Sequence, residues 1–145
     1  MIIRNRDALL AHGNVEGRRR VLDILEAGLA AGDPYDNVRK AVRIEGDTLL
    51  IGSDEFPLGG MGRCDETRPR PFPPAPLAID LNKLAAEGGR IYLVGGGKAA
   101  QRQAEALEDI LGDRIAEGHV NAKKGDGIRL RRCTVTLAGH PNPDE

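Results

Sequence analysis

Aromatic side chains are nearly missing from this chain: they make up 3% of its 145 residues, and tryptophan does not occur. Single-stranded nucleic acid is usually held by stacking bases on aromatic rings, so that partner is disfavoured. Charge of one sign is missing too. The formal net charge is −1, so no global field draws the chain to DNA or to an anionic membrane. Cysteine is scarce: Cys64 and Cys133 lie far apart, form no CxxC and have no neighbouring histidine. That spacing argues against a zinc site. Long apolar runs are also absent. The opening MIIRNRDALLAHG lacks the uninterrupted stretch of a signal peptide, and no segment approaches the length of a membrane span. The expected setting is a reducing cytoplasm with free thiols, with no nucleic-acid or membrane partner.

What is present suits one globular domain over residues 1–145, with 40% hydrophobic and 30% charged residues. The basic runs Arg18 to Arg20 and Arg129 to Arg132 read as a solvated helix face and a strand end. From Glu16 to Ala31, Val21, Leu22, Leu25, Gly28 and Leu29 recur at helical spacing. Gly32-Asp33-Pro34 stops that helix. Asp33 and Pro34 suit the start of a second helix reaching about Ala41. In VRIEGDTLLIG, two β-rich pieces, Val42 to Ile44 and Thr48 to Ile51, flank turn chemistry, which predicts a hairpin. Residues 53–76 are rich in glycine, proline and charge and read as a long insert.

Order returns at RIYLVGGGKAA. Ile91 to Val94 is a continuous apolar run of the kind found in buried parallel strands. Gly95-Gly96-Gly97 follows, then a helix in which Ala100, Ala104, Leu107 and Leu111 form a stripe closed by Gly112-Asp113. Further strands are predicted at His119 to Lys123 and Arg132 to Leu137. Strand, glycine turn, helix, strand is the start of a βαβ unit. The predicted class is therefore α/β: a partial Rossmann-like domain with a short, mainly parallel sheet, flanking helices and a β-hairpin.

A strand that enters a helix through glycines presents bare N–H groups at the positive end of the helix dipole, which suits phosphates. Lys98 adds a mobile cation there. The P-loop pattern fails, because Ala99 follows Gly97-Lys98 and Tyr92 occupies the place of the first glycine. The dinucleotide fingerprint is met by Gly95, Gly97 and Ala100, but the acid it needs is misplaced. Glu117 has the offset yet precedes the predicted strand, which ends in Lys123-Lys124. A tight turn with no ligand remains open on spacing alone.

The tail AGHPNPDE leaves a strand directly. Gly139 permits unusual backbone angles, and Pro141 and Pro143 stiffen the exit. His140 and Asp144 then stand on a rigid loop at a strand's carboxyl end, where open α/β sheets bind ligands.

Together these motifs give the chain its resemblance. It resembles the N-terminal domain of the glycerate 2-kinase family, which includes proteins labelled hydroxypyruvate reductase. The resemblance rests on Asp33-Pro34-Tyr35, the hairpin stretch VRKAVRIEGDTLLIG, VGGGKA from Val94 to Ala99, Leu111 to Asp113, and Ala138 to Glu145. It implies ATP-dependent phosphorylation of D-glycerate with magnesium. It implies Lys98 as the catalytic or phosphate-contacting residue, and Gly95, Gly96, Gly97, His140 and Asp144 as substrate- or phosphate-binding residues. The metal ligands fall outside this segment. Family members are about three times longer, so the resemblance casts the chain as an N-terminal fragment or domain, inactive alone. A downstream domain or partner chain would supply the rest of the cleft. Two other readings stay open: a non-catalytic subunit of a larger ATP-dependent complex, and an independent anion- or nucleotide-binding module. An exposed half-sheet would favour self-association.

Overall fold

The computed structural model describes residues 2–52, 76–125 and 127–142. The predicted insert therefore lies outside the described residues save Pro76, as do Cys64 and Asp144. The chain divides into two compact units, Met1–Asp33 and Pro34–Glu145.

The first unit holds two helices, α1 (Arg6–Leu10) and α2 (Val15–Ala31). Asn14 caps α2 by accepting from the Gly17 N–H at 2.9 Å, and Gly32 closes it. Arg6 bridges two acids of α2, Asp23 and Glu26, and the Ile2 amide also donates to Glu26 at 2.7 Å. Of the predicted apolar stripe only Leu22 is buried; Val21, Leu25 and Leu29 are more than half exposed. Length explains this. At 1.5 Å per residue α1 spans about 7.5 Å and α2 about 25 Å, so α1 cannot cover the stripe.

The second unit begins with α3 (Pro34–Ala41), which runs directly into β1 (Val42–Glu45). β1 turns into β2 (Thr48–Ile51), which pairs antiparallel with both β1 and β3 (Leu77–Asp80). The predicted hairpin is thus the first half of a three-stranded antiparallel sheet. Asp80 ends β3 and caps α4 (Leu81–Ala86), its carboxylate accepting from the Lys83 N–H at 2.9 Å. The second sheet is parallel, in the order β4 (Ile91–Gly96), β5 (Ile115–Lys123) and β6 (Cys133–Ala138). Helix α5 (Ala100–Leu111) and a 3-10 turn (Gly112–Arg114) connect β4 to β5. The α/β class with a parallel sheet, flanking helices and an antiparallel hairpin is what the sequence predicts.

α5 carries the core. Its stripe, Ala100, Ala104 and Leu111, is buried with Leu93, Val120, Ala122 and Cys133 of the parallel sheet and with Leu49 of the antiparallel one. Ile115 and Val120 are fully buried, and each contributes about 1.5–3 kcal/mol over its exposed state. The other face of the parallel sheet is open: Tyr92 is 60% and Val94 84% exposed. The run Ile91 to Val94 is therefore buried on one face only, because α5 covers only one. On the open face His119 lies between two threonines, its Nδ1 2.8 Å from Thr134 Oγ1 and its Nε2 3.1 Å from Thr136 Oγ1. Thr134 Oγ1 also lies 3.2 Å from the Gly118 carbonyl, to which it can donate.

Two motifs of the resemblance have structural duties. Tyr35 donates to Asp109 Oδ2 at 2.7 Å, and the Arg102 guanidinium sits over its ring at 4.9 Å. These contacts bolt α3 to α5. The Tyr35 bond, with further help from Arg131, holds the Asp109 carboxyl below the usual carboxylate range despite some desolvation. The second basic run is neutralised by α5 and the turn after it, with Arg131 on Asp109 and Arg132 on Asp113.

Candidate functional site

The three parallel strands end side by side. Register sets Gly96 beside Asn121, Asn121 beside Thr136, and Lys123 beside Ala138. Beyond Gly96 the chain must leave the sheet and enter α5 within three residues. Gly97 makes that turn with φ +118°, and its N–H donates to the Asn121 carbonyl at 3.0 Å. It also accepts from the Ala100 N–H at 3.3 Å. Its amide is thus committed to the neighbouring strand, and Lys98 and Ala99, the N-cap, lead into the helix. Ala99 gives α5 no side-chain cap.

A left-handed φ at Gly97 restricts the position, whereas a Cβ at Gly96 would meet nothing within 4 Å. Gly97→Ala is expected to cost about 1–2 kcal/mol, and Gly96→Ala to fall within about 0.5 kcal/mol of wild type. Urea denaturation of both variants checks this; equal stabilities would show that the turn imposes no strain.

A hollow of about 140 Å³ opens at this end of the sheet. Gly97 and Lys98 line it beyond β4, Asn121 and Lys123 at the end of β5, and Gly139 and His140 beyond β6. The structure therefore brings together Lys98, Gly97 and His140, which the sequence reading names from motifs some 40 residues apart. Gly95 lies within β4, and its added Cβ would meet Ala100 and Val120 at ordinary contact distances. Gly95 and Gly96 are not among the residues lining the hollow. Asp144 lies outside the described residues.

Asn121 and Lys123 were not foreseen as site residues. The sequence signal was available: a strand that follows a glycine turn and its helix ends beside that turn. Glu117 is corrected too. β5 begins at Ile115, so Glu117 lies inside the strand and pairs with Tyr92, far from the carboxyl end where a ribose-binding acid is needed.

Electrically the hollow is cationic. It is lined by two lysines and a histidine, and by no carboxylate among the described residues. Neither Lys98 nor Lys123 forms an ion pair among the described residues. Such a place takes a phosphate or a carboxylate. Larger hollows lie elsewhere. One of about 500 Å³ runs along α1 and α2 with a mostly apolar lining. Another of about 420 Å³ lies between α4 and the amino ends of β4 and β5. Neither holds a residue of the two motifs. Cys133 offers no nucleophile: burial, and then the Glu108 carboxylate, push its thiol up to about 11. Among the described residues no group of three His, Cys, Asp or Glu side chains could hold a metal ion. No helix among them is long and apolar enough to cross a membrane.

Comparison with known proteins agrees with the motifs. The family described as a domain of unknown function, DUF4147, matches residues 20–145. A "Glycerate 2-kinase" of Pyrococcus horikoshii is 31% identical over 131 residues, which cover 86% of this chain and 23% of that protein. A "D-glycerate 2-kinase" of Thermotoga maritima is 39% identical over 75 residues, 51% of this chain and 18% of that protein. A crystal structure of the PH0495 protein from Pyrococcus horikoshii OT3 superposes with a TM-score of 0.57 at 27% identity, covering 92% of this chain and 23% of that one. The chain thus spans about a quarter or less of the curated relatives it matches.

Proposed function

The chain belongs to the DUF4147 domain family, and we propose that it supplies the glycine-turn side of a cleft in which phosphate passes from ATP to D-glycerate. The observation that carries this reading is the meeting of Lys98 and His140 in one cationic hollow at the carboxyl ends of the parallel strands. Similarity to two proteins named as glycerate 2-kinases supports the substrate pair.

In such a transfer the glycerate 2-hydroxyl oxygen forms a bond to the γ-phosphorus and gives up its proton to solvent, and the bond from that phosphorus to the ADP oxygen breaks, with ADP leaving. Charge spreads over the phosphoryl oxygens in the transition state, and stabilising it is most of the catalytic task. Lys98 stands where its ammonium can neutralise that charge. The amides of Lys98 and Ala99 reinforce it, with the dipole of α5 behind them. His140 is a wall residue able to donate to an anion. Magnesium, when bound with the nucleotide, adds charge neutralisation; we place its ligands outside the described residues. Turnover then needs surfaces beyond those described here, in keeping with the relatives' greater length. We place the activity in the cytoplasm, which suits a protein whose buried Cys133 is a free thiol.

Isothermal titration of the chain with D-glycerate and with Mg-ATP tests the reading. Binding of one or both is expected, with Kd raised at least about tenfold in Lys98→Met, which is about 1.4 kcal/mol. Lys98→Met binding both as the wild type does would sink it.

A further inference from the structure

We infer that Lys123, with Asn121, is the carboxylate anchor of this site, and that the hollow receives the small acid and its phosphorylated product rather than the nucleotide. The inference rests on the reading above and divides the labour between its two cations: Lys98 faces the phosphoryl group and Lys123 the carboxylate.

Size is the first argument. About 140 Å³ is the room of four to five water molecules at about 30 Å³ each. Pockets that bury drug-sized ligands, which nucleotides are, run to roughly 300–1,000 Å³. A three-carbon acid matches the scale of such a space, whereas a nucleotide would extend well beyond it.

Placement is the second. Lys98 lies beyond the end of β4, and Lys123 is the last residue of β5, the next strand over. Neighbouring strands are about 4.8 Å apart. The two cations thus approach the hollow from adjacent strands, with Asn121 between the glycine turn and Lys123. A 2-phosphorylated hydroxy acid carries two anionic groups on one carbon, and a pair of lysines on adjacent strands can meet both.

Charge is the third. Two lysines line a small hollow that no carboxylate lines among the described residues, so both charges can serve an entering anion. A doubly anionic ligand can use both, a singly anionic one only one. Asn121 adds amide donors that tell an oxygen-bearing acid from a bare ion.

The test is titration of the full chain with 2-phosphoglycerate, D-glycerate and inorganic phosphate, for wild type, Lys98→Met and Lys123→Met. Both lysines are exposed, so the variants should fold, and circular dichroism confirms it. Wild type is expected to bind 2-phosphoglycerate at least about tenfold tighter than inorganic phosphate. Lys123→Met should erase that margin and lose D-glycerate while keeping inorganic phosphate. Lys123→Met with the margin intact overturns the inference, as does a wild-type chain that binds none of the three at millimolar concentration. Lys98→Met that keeps inorganic phosphate counts against the role given to Lys98 instead, and the margin in Lys123→Met still decides the present inference.

Discussion

Replacing Glu108 by alanine is expected to destabilise the second unit by about 3 kcal/mol, a large share of the 5–15 kcal/mol that holds a typical domain folded. Glu108 lies on α5 and is only 2% exposed. Burial alone would push its carboxyl up, but the backbone N–H groups of Arg131, Arg132 and Cys133 outweigh burial and hold it below the usual range. Oε2 accepts from Arg131 at 2.6 Å, and Oε1 accepts from Arg132 at 2.8 Å and from Cys133 at 2.9 Å. One side chain thus fixes the chain as it enters β6. Alanine leaves the Cys133 donor buried without a partner, and that loss, added to the other two bonds, sets the magnitude. Glutamine separates charge from geometry. Its carbonyl oxygen can keep the two Oε1 bonds, while its amide cannot accept from Arg131. Glu108→Gln should therefore cost about 1 kcal/mol.

The pH dependence follows from the same carboxylate. A folded value below the unfolded one, about 4.3, gives stability that is present above that pH and lost as pH falls through the folded value. Wild-type stability should drop more steeply below about pH 4.3 than that of Glu108→Gln. Urea denaturation at pH 7 and in the acid range measures both effects. A Glu108→Ala chain as stable as wild type would show that the three bonds contribute nothing.

The same helix shows why some of the fold was legible and some was not. Ala100, Ala104, Leu107 and Leu111 repeat at a period no strand can use, and the structure buries three of them. The hairpin was legible because Glu45-Gly46-Asp47 demands a turn, and Gly46 has φ +60°. β3 and α4 were not foreseen. They have four and six residues, too few for either period to register, and they emerge from a proline-rich stretch that reads as loop. Only the cap at Asp80 marks their junction. The exposure of Tyr92 and Val94 was hidden for another reason. An apolar run looks the same in sequence whether one face or both are covered. The site was half legible. Lys98 and His140 stand in motifs whose glycines and prolines restrict the backbone, and such restriction can be read locally. Lys123 and Asn121 belong to no motif; they reach the hollow because β5, the strand after the glycine turn and its helix, ends beside that turn. Glu108 was invisible, since its partners are backbone amides at least 23 residues away.

Gly118→Ala is expected to cost about 3 kcal/mol, at the upper end of what overpacking a core usually costs. Gly118 lies in the middle of β5, paired with Leu93 on one side and Cys133 on the other. A Cβ there would stand 2.3 Å from Cys133 Sγ and 3.0 Å from the Leu93 carbonyl oxygen. The sulfur could swing away if it had room, but Cys133 is 7% exposed and its amide is held by Glu108. The carbonyl oxygen belongs to β4 and cannot move without disturbing the β4–β5 ladder. The contact with Cys133 must therefore be relieved by shifting β6, the strand that carries Gly139 and His140 to the hollow. Cys133→Ala removes the sulfur and tests this account directly. In the Cys133→Ala background, Gly118→Ala should cost less than half as much as in wild type, leaving the milder contacts with the Leu93 oxygen at 3.0 Å and the Cβ of residue 133 at 3.2 Å. Urea denaturation of the four chains of that cycle gives the coupling. Equal costs in both backgrounds would show that the sulfur is not the obstacle and that β6 is free to adjust. A coupling of 1 kcal/mol or more, on the order seen for residues in contact, would show that the Cys133 sulfur is what keeps position 118 a glycine.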